Sequence, residues 1–594
     1  MKTFKLALLT VLLFAFTGLV HAQHLTILHT NDMHSRITGD GPEVDYTPMV
    51  TNNDEVLGGF ARLATLLKEE KAQNPKGTLV LDAGDFLMGT LFNVNEPNTG
   101  FQLAMMKQMG FQFTTIGNHE FDYGPNKLGE VIENAIKNGG IPQIISSNLT
   151  PDYNSPKDSV LAKYFKDGTI LPYKVIDVKG VKIGLIGILG INAADDAPLK
   201  TPVVVENQIK TAGAMAKMLK EEKHVNLVIC LSHSGVYPDG KGGFYGEDVK
   251  MAKKTKDIDI IISGHTHVVV PQPFKVKNTL IVQTGAYLHY LGKLDFDVKD
   301  GKIASYQYKL IPINDKIKGD SAINAEINDY KKVIAIKYLS PLYLGYSEPV
   351  AETSFNLMKH NKKGYQYTSL GHFLDHAIRS YVDADGGGTD ITLLASGTVR
   401  DNILKGKTGV ITPPDVFRVM SLGMANDNLP GYPLARIYLT GHELKNLMNV
   451  LLLSTDDDGY VFVSGMKAYY NPHKLMLTRV KRIDVDGKQI NTSKKDTKLY
   501  SVTANTYLLS FIGRVKKLSH GLVNVVPKFK DGQPIHDMSK ALIDFDKNKP
   551  GIQEGSEWLG VIRYMQKLKD TNGNGIPDIP VKYDKPYSNR IVVK

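Results

Sequence analysis

The sequence is poor in cysteine. Cys230 is the only one in 594 residues, so no intramolecular disulfide can form, and it lies at the end of an apolar, strand-like run. Long apolar runs are scarce as well. Beyond the first two dozen residues, no stretch is long and apolar enough to span a membrane. Long basic runs are missing too. The formal charge of +10 is spread along the chain, which argues against dedicated binding of a nucleic-acid polymer and leaves a mild attraction for anionic substrates.

What is present begins with an address. Lys2 and Lys5 precede a mostly apolar run from Leu6 to Leu19, and Val20-His21-Ala22 gives a small-x-small pattern before Gln23. Residues 1–22 therefore read as a signal peptide. No lipobox cysteine stands at the cleavage point. The expected location is exported, periplasmic or extracellular, without a membrane span. At 594 residues the chain is too long for one core, so two or more domains are expected. Apolar residues at 42% and charged residues at 22% are ordinary for globular protein.

From Leu25 to about Pro312, strands alternate with helices. Strands are expected at Leu25–His29, Thr78–Leu81, Phe113–Ile116, Gln143–Ser146, Val181–Ile188, Leu227–Leu231, Ile258–Ile262, Leu280–Gln283 and Lys293–Asp297. Helices are expected at Gly59–Lys71, Thr99–Met109, Leu128–Lys137, Thr211–Glu222 and Glu247–Lys254. The pattern is that of an α/β domain whose sheet is covered by helices.

Five loops each follow a strand and carry metal-type ligands. They are Asn31-Asp32-Met33-His34, Asp82-Ala83-Gly84-Asp85, Asn118-His119, Ser232-His233-Ser234-Gly235 and Gly264-His265-Thr266-His267. Alone, each has a bland reading as a turn, a helix cap or a surface histidine. Five in this strand context point to a dinuclear metal site with a shared carboxylate. Mixed Asp, His and Asn donors suit zinc or manganese. Asp122, three residues after His119, can hydrogen-bond that imidazole and fix its tautomer.

On these residues the chain resembles the calcineurin-like metallophosphoesterases, in particular the secreted 5′-nucleotidase and UDP-sugar hydrolase family. Thr30–Ser35, Gly58-Gly59-Phe60-Ala61-Arg62, Gly84-Asp85, Gly117–Gly124, Ser232–Gly235 and Ser263–His267 match its N-terminal domain. The resemblance implies a four-layer αββα sandwich over 23–314. It implies that Asp32, His34, Asp85 and His267 hold one divalent ion, and that Asp85, Asn118, His233 and His265 hold the other. His119 with Asp122 would be the catalytic pair. The family often has Asn or Gln where this chain has His267, which bears on the metal preference of the first site.

Residues from about Asp315 to Tyr338 read as one amphipathic helix, with Ile323, Ile327 and Ile334 on its apolar side. In the family a helix here joins two domains, and 315–341 is taken as the linker. From 342 to 548 the chain resembles the family's substrate domain, an α/β unit. The matching segments are Thr368–Ala377, Ala395–Arg400, Gly459–Gly465 and Ser501–Tyr507, the last two as strands. Arg400 can grip a phosphate with a forked contact. Departures are plain: the family's loop asparagine is Ala395, a second arginine aligns with Gln366, and its two base-stacking aromatics align near Leu422 and Tyr507. The Gly-Gly-Asp-Gly-Phe segment after the second aromatic is absent.

In the tail, 549–594, Asp570, Asn572 and Asn574 stand at alternate positions, followed by Gly575 and then Asp578, in a stretch that resembles the calcium loops of thrombospondin type 3 repeats. Val581 stands where an EF-hand needs its bidentate Glu. The expected activity is hydrolysis of small phosphoesters, nucleotides first. The alternatives are UDP-sugar or pyrophosphate hydrolysis, 2′,3′-cyclic nucleotide phosphodiesterase or thiosulfohydrolase activity, and a calcium-dependent surface binding protein on an inherited scaffold. Asp122 counts against the cyclic-nucleotide branch, which usually has Asn there.

Overall fold

The computed structural model describes residues 22–360, 368–426, 429–453, 460–518, 521, 523–585 and 590–593. Residues 1–21 of the expected signal peptide, and also Gln366 and Gly459, lie outside the described residues. The chain forms two compact units. One takes the described residues up to Met33, Leu63–Phe86 and Thr99–Ile313; the other takes His34–Arg62, Leu87–Asn98 and Asn314–Lys594.

The first unit is built on two sheets. The seven-stranded sheet runs in the order Lys302–Pro312, Tyr290–Lys299, Gln23–Thr30, Thr78–Asp82, Phe113–Thr114, Gln143–Ile145, Ile170–Leu171. The six-stranded sheet runs Phe274–Val276, Thr279–Val282, Ile260–Ser263, Leu227–His233, Val181–Leu189, Tyr173–Val178. Neighbouring central strands are parallel in both.

Strand periodicity explains why the sheets stack. Ile27, Leu79, Leu81 and Ile145 of one sheet meet Ile183, Leu185, Ile229, Leu231, Ile260 and Ile262 of the other in a single core. The intervening residues point the other way. Ile186, Val228, Cys230 and Ile261 pack on Ala212, Ala216 and Leu219 of helix Gln208–Glu221 and on Val249, Met251 and Ala252 of helix Glu247–Lys254. Continuous apolar strands are thus covered on both faces. This is the helix–sheet–sheet–helix layering expected for the N-terminal domain.

Four strands of these two sheets are absent from the sequence reading: Ile170–Leu171, Tyr173–Val178, Phe274–Val276 and Lys302–Pro312. Lys302–Pro312 is largely exposed, so it lacks the apolar run that marks its neighbours. It sits at a sheet edge, where charge discourages further pairing. The strand expected at Phe113–Ile116 stops at Thr114, because the Thr115 hydroxyl bonds the Ile145 carbonyl and the chain leaves the ladder.

In the second unit, one four-stranded sheet has the order Leu434–Thr440, Leu499–Asn505, Ile391–Ala395, Val461–Ser464. Helices Ser369–Ala384 and Glu557–Gln566 pack on each other. Trp558 is buried there, its Nε1–H donating to the Pro430 carbonyl at 2.6 Å and its ring set edge-on to Phe417.

The helix expected from about Asp315 to Tyr338 is shorter than that span. It starts at Ser321 and not at Asp315, because Asp320 caps it by accepting from the Ala322 and Ile323 amides. The α-helix ends at Ile334, passes through a wide turn at Ala335–Leu339, and finishes as a tight turn over Ser340–Leu342, where Pro341 has no N–H to extend the ladder. Ile323, Ile327 and Ile334 are buried as their spacing requires.

The inter-sheet core sets the stability of the first unit. Ile229 is fully buried there. Ile229→Ala should lower the unfolding free energy by about 2–5 kcal/mol and Ile229→Val by about 0.5–1.5 kcal/mol. Denaturant unfolding of the first unit would measure both, and equal losses would show that the site collapses without a cavity.

Candidate metal centre

The ends of the parallel strands bring the expected ligands of the first unit together. One oxygen each of Asp32 and Asp85 and one ring nitrogen of His233 lie within 4.8 Å of one another. His233 Nε2 is 3.0 Å from Asp85 Oδ2 and 3.2 Å from Asn118 Oδ1. His265 Nδ1 is 3.1 Å from the same Asn118 oxygen, and His267 Nε2 is 3.4 Å from Asp32 Oδ1. His34 follows Asp32 by two residues and is wholly buried, and it opens the stretch His34–Arg62 that packs within the second unit.

One placement corrects the sequence reading. His233 was expected on a loop after Leu231, but it is the last residue of the strand Leu227–His233. Parallel pairing with Val181–Leu189 carries that strand on to its end, His233 lying opposite Leu189. His233 is therefore held by a ladder, which is stiffer than a loop.

Backbone geometry marks the same residues independently. Asp32, His34, Asp85, His265 and His267 all adopt left-handed φ, between 49° and 75°. Residues with a side chain rarely take that conformation, and it costs free energy that the surrounding fold must offset. Two glycines make the approach of the loops feasible. A Cβ on Gly117 would land on the Asp85 carboxylate, and one on Gly264 would sit 3.1 Å from Asp32 Oδ2, His233 Nδ1 and the Ala83 carbonyl.

The donor set fits divalent cations. Neighbouring ligand atoms about 3 Å apart are spaced like corners around an ion held at about 2.1 Å. Asp32 and Asp85 are buried and need a compensating positive charge. The response of His233 shows this need. Burial disfavours its charged form, yet the Asp85 carboxylate, then Asp32 and the Ala83 carbonyl, push it up to about 10. His265, by contrast, is held down at about 4 by burial and by His233.

Beside this cluster, His119 Nδ1 lies 2.9 Å from Asp122 Oδ2. An ionised carboxylate can only accept, so Nδ1 carries a proton and Nε2 faces away from Asp122. The His119 backbone N–H donates to Asp85 Oδ1 at 2.9 Å, which ties the pair to the Asp85 carboxylate.

Three supporting residues have no role in the sequence reading. Glu120 accepts from the Asp85 and Gly117 amides. Asn31 donates to Asp32 Oδ2 and to the Gly285 carbonyl, while its own oxygen accepts from Thr284. Asp248 accepts from the Ser232 and Ser263 hydroxyls, each at 2.6 Å, and from the Gly235 amide. It thereby fastens together the strand ends that carry His233 and the His265–His267 loop. Glu120 and Asn31 stand inside the quoted motifs. Asp248 has no signal in the sequence, because its partners are distant until the sheet forms.

In the second unit, Arg400 follows the tight turn Ser396–Thr398. Its N–H bonds the Val419 carbonyl, and its Nε is buried without a hydrogen-bond partner among the described residues. Asp401 beside it accepts from Arg36 NH1 at 2.8 Å, with Arg418 Nε 3.5 Å away. Tyr507, expected at the end of a strand, lies in the first turn of helix Thr506–Leu518, since Asn505 caps the Leu508 amide and ends the strand. Its stacking partner is Tyr432, with centroids 5.2 Å apart. The Tyr432 amide bonds the Leu422 carbonyl, so an aromatic does stand next to Leu422, ten residues on in sequence. In the tail, Asp570 and Asp578 accept from backbone amides of their own loop, and Asn572 and Asn574 turn their amide groups to Glu352.

The comparisons agree with this architecture. The family model for calcineurin-like phosphoesterase matches residues 25–269, and that for the 5′-nucleotidase C-terminal domain matches 349–518. The chain belongs to the calcineurin-like metallophosphoesterases of 5′-nucleotidase type, a family of hydrolases. It is 26% identical over 516 residues to the trifunctional nucleotide phosphoesterase YfkN of Bacillus subtilis, covering 82% of this chain and 32% of that protein. It is 31% identical over 335 residues to snake venom 5′-nucleotidase of Gloydius brevicauda, covering 52% of this chain and 51% of that one. The chain thus spans about a third and about half of these two relatives. The solved 5′-nucleotidase precursor of Thermus thermophilus superposes with a TM-score of 0.68 at 20% identity, over 96% of this chain and 99% of that one, which shows the shared fold. No helix among the described residues is long and apolar enough to cross a membrane.

Asp248 offers a test of how the site is held. Asp248→Ala should weaken binding of zinc or manganese by roughly tenfold, the lower range for loss of an outer-shell partner, and Asp248→Asn should recover part of it. Calorimetric titration of the metal-free protein reads this directly, and unaltered affinity in both variants would make Asp248 a scaffold residue only.

Proposed function

We propose that the chain is an exported phosphoesterase that holds two divalent ions, zinc or manganese, and converts nucleotides to nucleoside and phosphate. The supporting observation is the convergence of Asp32, Asp85, Asn118, His233, His265 and His267 at the strand ends, next to the His119–Asp122 pair. Asp32, His34, Asp85 and His267 would hold one ion, and Asp85, Asn118, His233 and His265 the other. When bound, such ions supply Lewis acidity and a lowered water pKa.

The chain's own residues do the rest. Asp122 fixes the His119 ring, so Nε2 faces away from the carboxylate. From there, in the doubly protonated ring, Nε2–H would stabilise charge on the phosphoryl group and pass its proton to the leaving oxygen. Arg400 presents a guanidinium whose fork matches two phosphate oxygens. Tyr432 and Tyr507 already stack on each other, and Leu422 flanks them, so a base gains at most one outer ring face. Base discrimination is accordingly weak: kcat/KM for AMP and CMP should differ by no more than about tenfold, the worth of one stacked pair. In the tail, the reading places calcium among Asp570, Asn572, Asn574 and Asp578.

Two variants separate the roles. His119→Ala should lower turnover by roughly a hundredfold or more with metal retained, since it removes proton transfer and not a ligand. Asp85→Ala should lose metal. Elemental analysis beside a phosphate-release assay decides, and a metal-depleted His119→Ala with a fully loaded Asp85→Ala would reverse the assignment. Full phosphoesterase activity after thorough chelation would sink the whole reading.

A further inference from the structure

Between Gly235 and Gly246 the first unit puts out a short hairpin that the mechanism above does not use. Its two strands, Tyr237–Pro238 and Phe244–Tyr245, pair antiparallel with Tyr237 opposite Tyr245. The two rings stack with centroids 5.5 Å apart and an interplanar angle of 29°. They remain open to solvent, at 39% and 56% exposure. Together they present large aromatic faces to solvent, of the kind that recognition surfaces use.

The hairpin is stiff and is anchored to the metal centre. Asp239 closes its turn by accepting from the Lys241 and Gly243 amides, each at 2.8 Å. At its base, the Val236 carbonyl accepts from the Thr266 hydroxyl at 2.7 Å, and the Val236 amide donates to the same oxygen at 3.3 Å. Thr266 stands between His265 and His267. Tyr237 thus follows directly on a residue whose backbone is bonded to Thr266. Asp196 is held in the same place, its Oδ2 3.9 Å from His265 Nε2. Asp196 and Glu247 are the carboxylates whose charge reaches the Tyr237 ring.

We propose that the Tyr237–Tyr245 pair is a second recognition site, which takes the flat ring of the substrate's alcohol by stacking and favours neutral or cationic rings over anionic ones. Stacked tyrosines present electron-rich faces, and the two carboxylates add negative potential around them. An aryl or heteroaryl ester meets both conditions, and a ring-free ester gains nothing from the platform. The assignment rests on the phosphoesterase reading for its setting at the metal centre, but binding can be measured without turnover.

The test uses the full chain loaded with manganese and two ligands that cannot be hydrolysed, phenylphosphonate and methylphosphonate. Titration calorimetry should show a preference for the phenyl compound in the unaltered protein. Tyr237→Ala with Tyr245→Ala should reduce that preference about two- to tenfold, the worth of one stacked pair. The double Phe variant should keep it. In turnover, the Ala variant should raise KM for 4-nitrophenyl phosphate with kcat within about twofold, and leave glycerol 2-phosphate unchanged. An undiminished phenyl preference in the Ala variant would overturn the proposal. If the unaltered protein hydrolyses no phosphoester, the catalytic reading falls, and the titration still decides on the platform.

Discussion

Two buried carboxylates, Asp32 and Asp85, govern the first unit. Neither can stay ionised in an apolar interior without positive charge close by. The sheet supplies part of the answer through His233, whose proton is held to about 10 against the cost of burial. Backbone amides supply more: His265 donates to Asp32, and His119 to Asp85. A bound divalent cation would replace the His233 proton in that balance, and the remaining features fit the same demand. The strained left-handed residues, the side-chain-free approaches at Gly117 and Gly264 and the buried stapling carboxylate Asp248 all cost stability. Each is explained by the need to hold the donors at ion spacing.

The sheets that carry these groups pay no comparable penalty. Their strands bury apolar side chains on both faces, so alternate residues feed two separate cores. Rigidity at the strand ends comes from the same source. His233 continues a paired ladder, and Asp82 accepts from Thr30, Thr114 and the Gly84 amide across three adjacent strand ends. A site built this way needs little reorganisation to receive its ions.

Much of this was legible in the sequence, and for identifiable reasons. The central strands announce themselves because doubly buried strands are uninterrupted apolar runs, and helix Glu247–Lys254 was bounded to the residue. The ligand loops were legible because each breaks an apolar run with polar residues and glycine. What failed to show was long-range or exposed. Lys302–Pro312 lacks an apolar face to reveal it. Asp248 acts on Ser232 and Ser263 only once two strands are paired. Tyr432 reaches Tyr507 through a turn that composition does not encode, and the Tyr237–Tyr245 hairpin looks like a plain Gly-rich loop. Helix Ser321–Ile334 begins later than its periodicity suggests, because Asp320 caps it.

The central claim is that these donors form one paired site for two ions that share Asp85. Crystals of the full chain grown with manganese, measured at an anomalous wavelength, test it most directly. The account predicts two anomalous peaks per chain a few ångströms apart, both in contact with Asp85, one also with His267 and the other with His233 and His265. A single peak, or two peaks that leave Asp85 without contact, would contradict it.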